Sequence, residues 1–414
     1  MQLTSSTSNQ PLETMSSGAG RSLSTHGIAS GLKLGDEAIL HAGVFADVGY
    51  DSNVFYGSGS QATSAVMHVS PRLEITNAER DGSIPSGTFY DLSASVDFVK
   101  YLTSDGEVTN QDAINPSLGG NAEFSSGQAL SFTLSETFSR YKMAPYVAAT
   151  NPSIRDNPIT RDDNMASASL KFAPGGGRLR VMLRYTNLID KYEGGYDLGS
   201  NMGNEGVLDI GWRWLPRTTI YAQVAQGAIT YFNSGTSGRA SYPLRTLLGV
   251  RGLLTEKLSV NLGAGYNNAF YTGTTTSGNA TPSGLGNLGI VAELNYTLSV
   301  LSRVGFGYHH DFANSPFVGG YYDMDAIYGA FQQMVASRVV TYLFGRYESR
   351  RFGGDAHGRS DNYIMGGAAI DYIIGKFLLA GASYSLNLNR TSGGAIPGID
   401  YTKHVLLFRL GVMY

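Results

Sequence analysis

Apolar residues recur at every second position along most of this chain, in segments of about ten residues that break and restart about eighteen times between Glu37 and the last residue. A period of two is that of a β-strand with unlike faces. In 208–215, LDIGWRWL, Leu208, Ile210, Trp212 and Trp214 share one face while Asp209, Gly211, Arg213 and Leu215 share the other. In 178–185, RLRVMLRY, Leu179, Val181, Leu183 and Tyr185 point one way, and Arg178, Arg180, Met182 and Arg184 the other. No apolar run reaches the roughly 18 residues that a membrane-spanning helix needs.

The connections alternate in length. Tight ones such as 125–128 (SSGQ), 174–177 (PGGG), 215–217 (LPR), 336–338 (ASR) and 374–376 (IGK) carry hairpin turn residues. Between them come polar loops rich in Gly, Asn and Ser, such as 233–241 and 272–284. Long and short in alternation put all tight turns at one end of an up-and-down meander. Charged residues are only 15% of the chain, against roughly 25% in soluble domains, so the outer face lacks the ions that would solvate it. A sheet in lipid survives only if it closes and leaves no edge.

The fold expected is therefore all-β: a transmembrane antiparallel up-and-down barrel of about eighteen strands, porin-like, in a Gram-negative outer membrane. Residues 1–36, rich in Ser, Thr, Gly and Asn and without either period, form a flexible periplasmic leader, and 37–414 form the barrel. Tyrosines such as Tyr50, Tyr101, Tyr185, Tyr231, Tyr308 and Tyr384 fall near strand ends or on the apolar face, as aromatic girdles do. A soluble propeller would repeat a blade signature, and none is present.

Several chemistries are excluded. With no cysteine there is no thiol nucleophile, disulfide or Cys-based zinc site, and a net charge of −3 without a basic cluster argues against nucleic acid. His309, His310 and Asp311 invite an enzyme reading, but alternation sends His309 and Asp311 to the lumen and His310 to lipid. His41, His357 and His404 scatter, and no Ser-His-Asp set, metal-ligand spacing or phosphate loop appears. No enzyme activity, metal or cofactor is expected.

A barrel of this size leaves an aqueous channel, so the polar faces become a wall. That wall should carry Arg72, Arg178, Arg180, Arg184, Arg213, Arg245, Arg251, Arg303, Arg346, Arg350 and Arg409, with Asp91, Asp97, Asp209, Glu293 and Asp371. Most of the arginines come from the middle of the chain onward and several acids come early, which predicts a transverse field that favours acidic or heavily hydroxylated solutes. The competing reading is that these charges pair across strands and brace the sheet.

Two stretches carry a family resemblance. In 403–414, KHVLLFRLGVMY, Leu406, Phe408, Leu410, Val412 and Tyr414 share a face and the chain stops on an aromatic; Phe408, Leu410, Val412 and Tyr414 resemble the C-terminal signal read by the outer-membrane assembly machinery. In 44–57, VFADVGYDSNVFYG, the run Tyr50-Asp51-Ser52-Asn53-Val54-Phe55 resembles the opening of the β-barrel porin 2 family, which includes outer-membrane proteins of exopolysaccharide export clusters. The resemblance implies a monomeric channel that passes a secreted polysaccharide, with periplasmic export components as partners. Asp51 and Asn53 could equally cap a turn, as Asx residues do. The alternative function is an uptake porin for small hydrophilic or anionic solutes; an adhesin or barrel enzyme is a third class. The loop 143–162, with Pro145, Pro152 and Pro158, is the candidate for folding inward.

Overall fold

The computed structural model describes residues 31–35, 38–58, 61–77, 87–143, 159–193, 199–233, 240–270, 287–315, 320–336, 338–353, 358–394 and 400–414. Its strands are β1 (Leu32–Leu34), β2 (Ala38–Asp51), β3 (Ser64–Thr76), β4 (Gly87–Leu102), β5 (Ala113–Ser126), β6 (Leu130–Met143), β7 (Ile159–Phe172), β8 (Leu179–Tyr192), β9 (Asn201–Leu215) and β10 (Thr218–Tyr231). They continue with β11 (Leu244–Leu253), β12 (Leu258–Asn268), β13 (Asn287–Ser299), β14 (Ser302–Ser315), β15 (Gly320–Val335), β16 (Val339–Phe352), β17 (Ser360–Ile374), β18 (Leu378–Ser392) and β19 (Tyr401–Met413). Each strand from β2 onward pairs antiparallel with the next, and β19 returns to β2 from Val405↔Asp51 to Met413↔Gly43. β2 to β19 thus close an eighteen-stranded up-and-down barrel, and the short β1 pairs with β2.

The register fixes the faces. Leu208, Ile210, Trp212 and Trp214 of β9 and Leu406, Phe408, Leu410 and Val412 of β19 are exposed on the outside, while Asp209 and Leu407 between them are buried. Exposed apolar side chains encircle the barrel from Val44 and Val48 through Leu118, Leu183, Leu248, Phe306 and Leu343 to Ile370. Such a belt on a closed sheet is stable only in hydrocarbon, where every backbone group is already paired. The molecule is an outer-membrane β-barrel.

Tyrosines mark the upper edge of the belt by a repeated device. The hydroxyl of Tyr185 donates to Asn204, that of Tyr308 to Asp325 and that of Tyr347 to Asn362, while Tyr384 bonds His404 Nδ1 at 2.8 Å. Each ring stays with the lipid while its hydroxyl reaches a polar group on the following strand. Tyr101 and Tyr231 differ from expectation. The register turns both inward, Tyr101 beside Asp51, so neither belongs to a girdle.

Three local features stand beside the expected layout. A short strand lies within the expected leader: Leu32, Lys33 and Leu34 pair with Leu40, Ile39 and Ala38, directly below the point where Tyr414 exchanges backbone hydrogen bonds with Ala42. β1 thereby covers a stretch of β2 edge that β19 is too short to reach; residues 1–30 lie outside the described residues. The inward-folding loop 143–162 is also cut back, because Ile159–Asp162 belong to β7 and its prolines lie outside the described residues. Finally, the β3–β4 ladder skips Ser70 and Pro71, between Val69↔Phe98 and Arg72↔Ser95, where proline has no N–H to give.

Candidate functional site: the lumen wall

Of the expected wall residues, the register turns Arg72, Arg180, Arg184, Arg213, Arg245, Arg251, Arg303, Arg346, Arg350, Arg409, Asp91, Asp97, Asp209, Glu293 and Asp371 inward. Arg178 does not join them. Gly175, Gly176 and Gly177 all have positive φ, so the chain leaves the extended state before β8 begins and the alternation loses its parity. Arg178 instead stacks its guanidinium 5.0 Å from the ring of the outward-facing Trp212.

Most of the inward charges are matched locally. Asp209 has 0% of its surface exposed and holds two arginines from strands on either side of it: Oδ1 accepts from Arg180 Nη2 at 3.3 Å, and both carboxylate oxygens accept from Arg251 at 2.5 and 3.0 Å. Arg245 lies 3.0 Å from Asp311 and 3.8 Å from Glu205. Glu348 bonds both Arg346 and Arg350, and Arg409 donates to Asp47 at 2.7 Å. Asp97 accepts from Ser70 at 2.7 Å and lies 3.1 Å from His68. Local pairing therefore accounts for most of the set: across strands at Asp209, Asp311, Asp47 and Asp97, as the alternative left open from sequence has it, and along β16 at Glu348. The broad transverse field reduces to a local basic surplus on β7–β11. There Arg180 and Arg251 share one acid, and Arg184 and Lys171 meet no carboxylate among the described residues. Arg213 reaches the carbonyl of Gly176 at the lower mouth, and Arg303 donates to Gln332 at 2.9 Å.

Glycines let the large side chains lie flat. Tyr328, Gly307 and Glu293 form one register row; the tyrosine crosses Gly307 and donates to Glu293 Oε1 at 2.6 Å, and a Cβ on Gly307 would overlap its ring. Glu293 also accepts from Asn261 at 2.9 Å and meets His309 at 3.3 Å. Tyr221 lies across Gly249 and Gly263 in the same way to reach Asn261 at 3.1 Å, and a Cβ on Gly263 would sit 2.5 Å from its hydroxyl. The Asp371 carboxylate lies over Gly381, in the row that continues to Arg409 and Asp47. Side chains pressed flat on the wall project less far into the bore.

Some wall residues escaped the sequence reading. Arg161 with Asp163 and Asp190, Arg359 with Asp361, and Lys403 with Asp51 are buried ion pairs near the upper rim. The same-face spacing in Arg161-x-Asp163 was a usable signal, hidden because apolar alternation fades there. The Tyr50–Phe55 motif turns out to be a latch. Asp51 Oδ1 accepts from Asn53 N at 3.0 Å; the Asn53 side chain bonds Gly57 and, at 3.0 Å, the carbonyl of Thr402 on β19. Val54 and Phe55 bury against Val108 of the helical turn Gly106–Thr109. Both Asx residues are thus engaged in closing the barrel. At the other end Phe408, Leu410, Val412 and Tyr414 all face outward, with Tyr414 stacked on Phe377 at 5.6 Å.

No protein-family model matches the chain, and no curated protein matches its sequence. Among solved structures it is similar to the outer membrane protein OpdK from Pseudomonas aeruginosa, at 10% identity over 91% of this chain and 99% of that one, with a TM-score of 0.44. It is similar also to OccK2 (OpdF) of the same organism in complex with glucuronate, at 10% identity over 90% of this chain and 98% of that one, TM-score 0.46. The siderophore receptor PirA from Acinetobacter baumannii matches at 7% identity over 92% and 81%, TM-score 0.44. Likenesses this distant say nothing of what passes through this barrel, which by its own closed wall and apolar belt is a porin-like outer-membrane channel.

Proposed function

We propose that this barrel is a diffusion channel for small hydrophilic solutes and prefers anionic ones. The observation that carries this reading is the basic arc around Asp209. One carboxylate cannot neutralise Arg180 and Arg251 together, and Arg184, two residues above Met182 on the same face, adds a further uncompensated guanidinium. Planar guanidiniums bind carboxylates and phosphates in pairs, and a bound carboxylate anchor holds them in place without cancelling them. Conduction also needs weak, repeated binding, which a half-neutralised arc supplies better than a bare cluster.

Export of a secreted polysaccharide is the second reading. Its support is the resemblance of residues 44–57, and the residues that carry it, Asp51 and Asn53, are occupied by Lys403, Gly57 and Thr402 at the rim. That local use favours the first reading. Reversal potentials of single channels in a KCl gradient test it: anion preference is expected, and Arg184→Glu with Arg180→Gln should abolish it. A cation-selective wild-type channel would sink the proposal. Trapping of surface polysaccharide in the periplasm of a deletion strain, with small-solute uptake intact, would favour export instead.

A further inference from the structure

We propose that the periplasmic rim is a binding surface for anionic phospholipid head groups of the inner leaflet. The tight turns from β5–β6 round to β17–β18 present Arg178, Arg217, Lys257, Arg338 and Lys376, all exposed. Among the described residues none of these side chains meets a carboxylate, and Glu256 is the only acid in those turns. The opposite end is built differently. Arg140 pairs with Asp162 and Glu193, Lys100 with Asp112, and Arg351 with Asp325. Cations without carboxylates on successive turns of one rim call for counter-charge from outside the molecule.

The tips of the same turns say what kind of surface supplies it. Val300 is 98% exposed at the point of the β13–β14 hairpin, and Leu215, Leu254, Leu301 and Phe377 are exposed on this turn or on others of the same rim. Apolar tips projecting into water would be costly, whereas at the acyl boundary they are buried and the adjoining Arg and Lys reach out to phosphates. Trp212 and Trp214, the chain's two tryptophans, stand at this level, where indole prefers the interface. The Arg178 guanidinium, 5.0 Å over the Trp212 ring, holds a cation at that depth. An acidic protein would need a broad continuous face; here cations alternate with aliphatic points around a ring, which suits individual lipids.

Because both tryptophans lie on this rim, their fluorescence reports on it alone. The full-length protein is reconstituted in zwitterionic vesicles that contain either phosphatidylglycerol or phosphatidylcholine, at equal fraction, brominated close to the head group. Brominated phosphatidylglycerol should quench several-fold more effectively at low salt. The excess should vanish at high ionic strength and in Arg178→Gln/Arg217→Gln, neither of which lies in the wall. Equal quenching by the two lipids, or an excess that survives both salt and substitution, overturns the proposal. Absence of quenching by either lipid also overturns it, placing the rim clear of the bilayer as a docking face for an acidic protein.

Discussion

The Lys403 ammonium lies 2.7 Å from Asp51 Oδ2, and both side chains are buried, so β19 is fastened to β2 by an ion pair at the upper end of the seam. Lys403 also sits 4.1 Å over the ring of Tyr56, which packs edge-on against Tyr401 at 5.0 Å. Replacing one member leaves a buried charge without its partner. Lys403→Met should destabilise the barrel by ~3 kcal/mol, and the double variant Lys403→Met/Asp51→Leu should recover much of that. Denaturant midpoints of the detergent-solubilised barrel measure both. An unchanged midpoint in the single variant would mean that the seam is held by its backbone ladder alone.

Asp209 restrains the basic arc electrostatically. Asp209→Asn should raise the anion-to-cation permeability ratio by roughly twofold or more, because Arg180 and Arg251 are then uncompensated. The same change leaves two half-buried cations unpaired and should cost ~1–3 kcal/mol of stability. Reversal potentials and thermal unfolding separate the effects, and a falling permeability ratio would contradict the arrangement.

Glycine slots predict conductance. A side chain at Gly307 must displace Tyr328 from the wall, and one at Gly381 must displace Asp371. Gly307→Val should therefore narrow the bore and lower single-channel conductance, with an overpacking penalty of ~1–3 kcal/mol. The companion Tyr328→Phe/Gly307→Val tests whether the steric effect or the lost bond to Glu293 dominates. Wild-type conductance in Gly307→Val would show that the ring has room elsewhere.

Tyr414 closes the lower seam with backbone bonds to Ala42 of 2.8 and 3.2 Å and with its ring stacked on Phe377. Deleting it should slow the appearance of the folded, heat-modifiable species in the outer membrane, while Tyr414→Phe should assemble at the normal rate. Equal assembly rates for the deletion and the wild type would remove the aromatic end from any role in insertion.

The period of two and the alternation of turn lengths determined strand number, barrel closure and the inward or outward sense of nearly every side chain, because a strand's faces follow from backbone geometry alone. That reading failed where the backbone stops being extended, as at Arg178 beyond three left-handed glycines, and where polar residues occupy both faces, as at the start of β7. What each inward charge would meet was not legible. Arg245 and Asp311 lie 66 residues apart, and Arg409 and Asp47 lie 362 apart. Their meeting depends on strand register summed around a closed ring. A single-residue slip would turn a strand's wall out to lipid, so closure had to be settled before any pair on the wall existed.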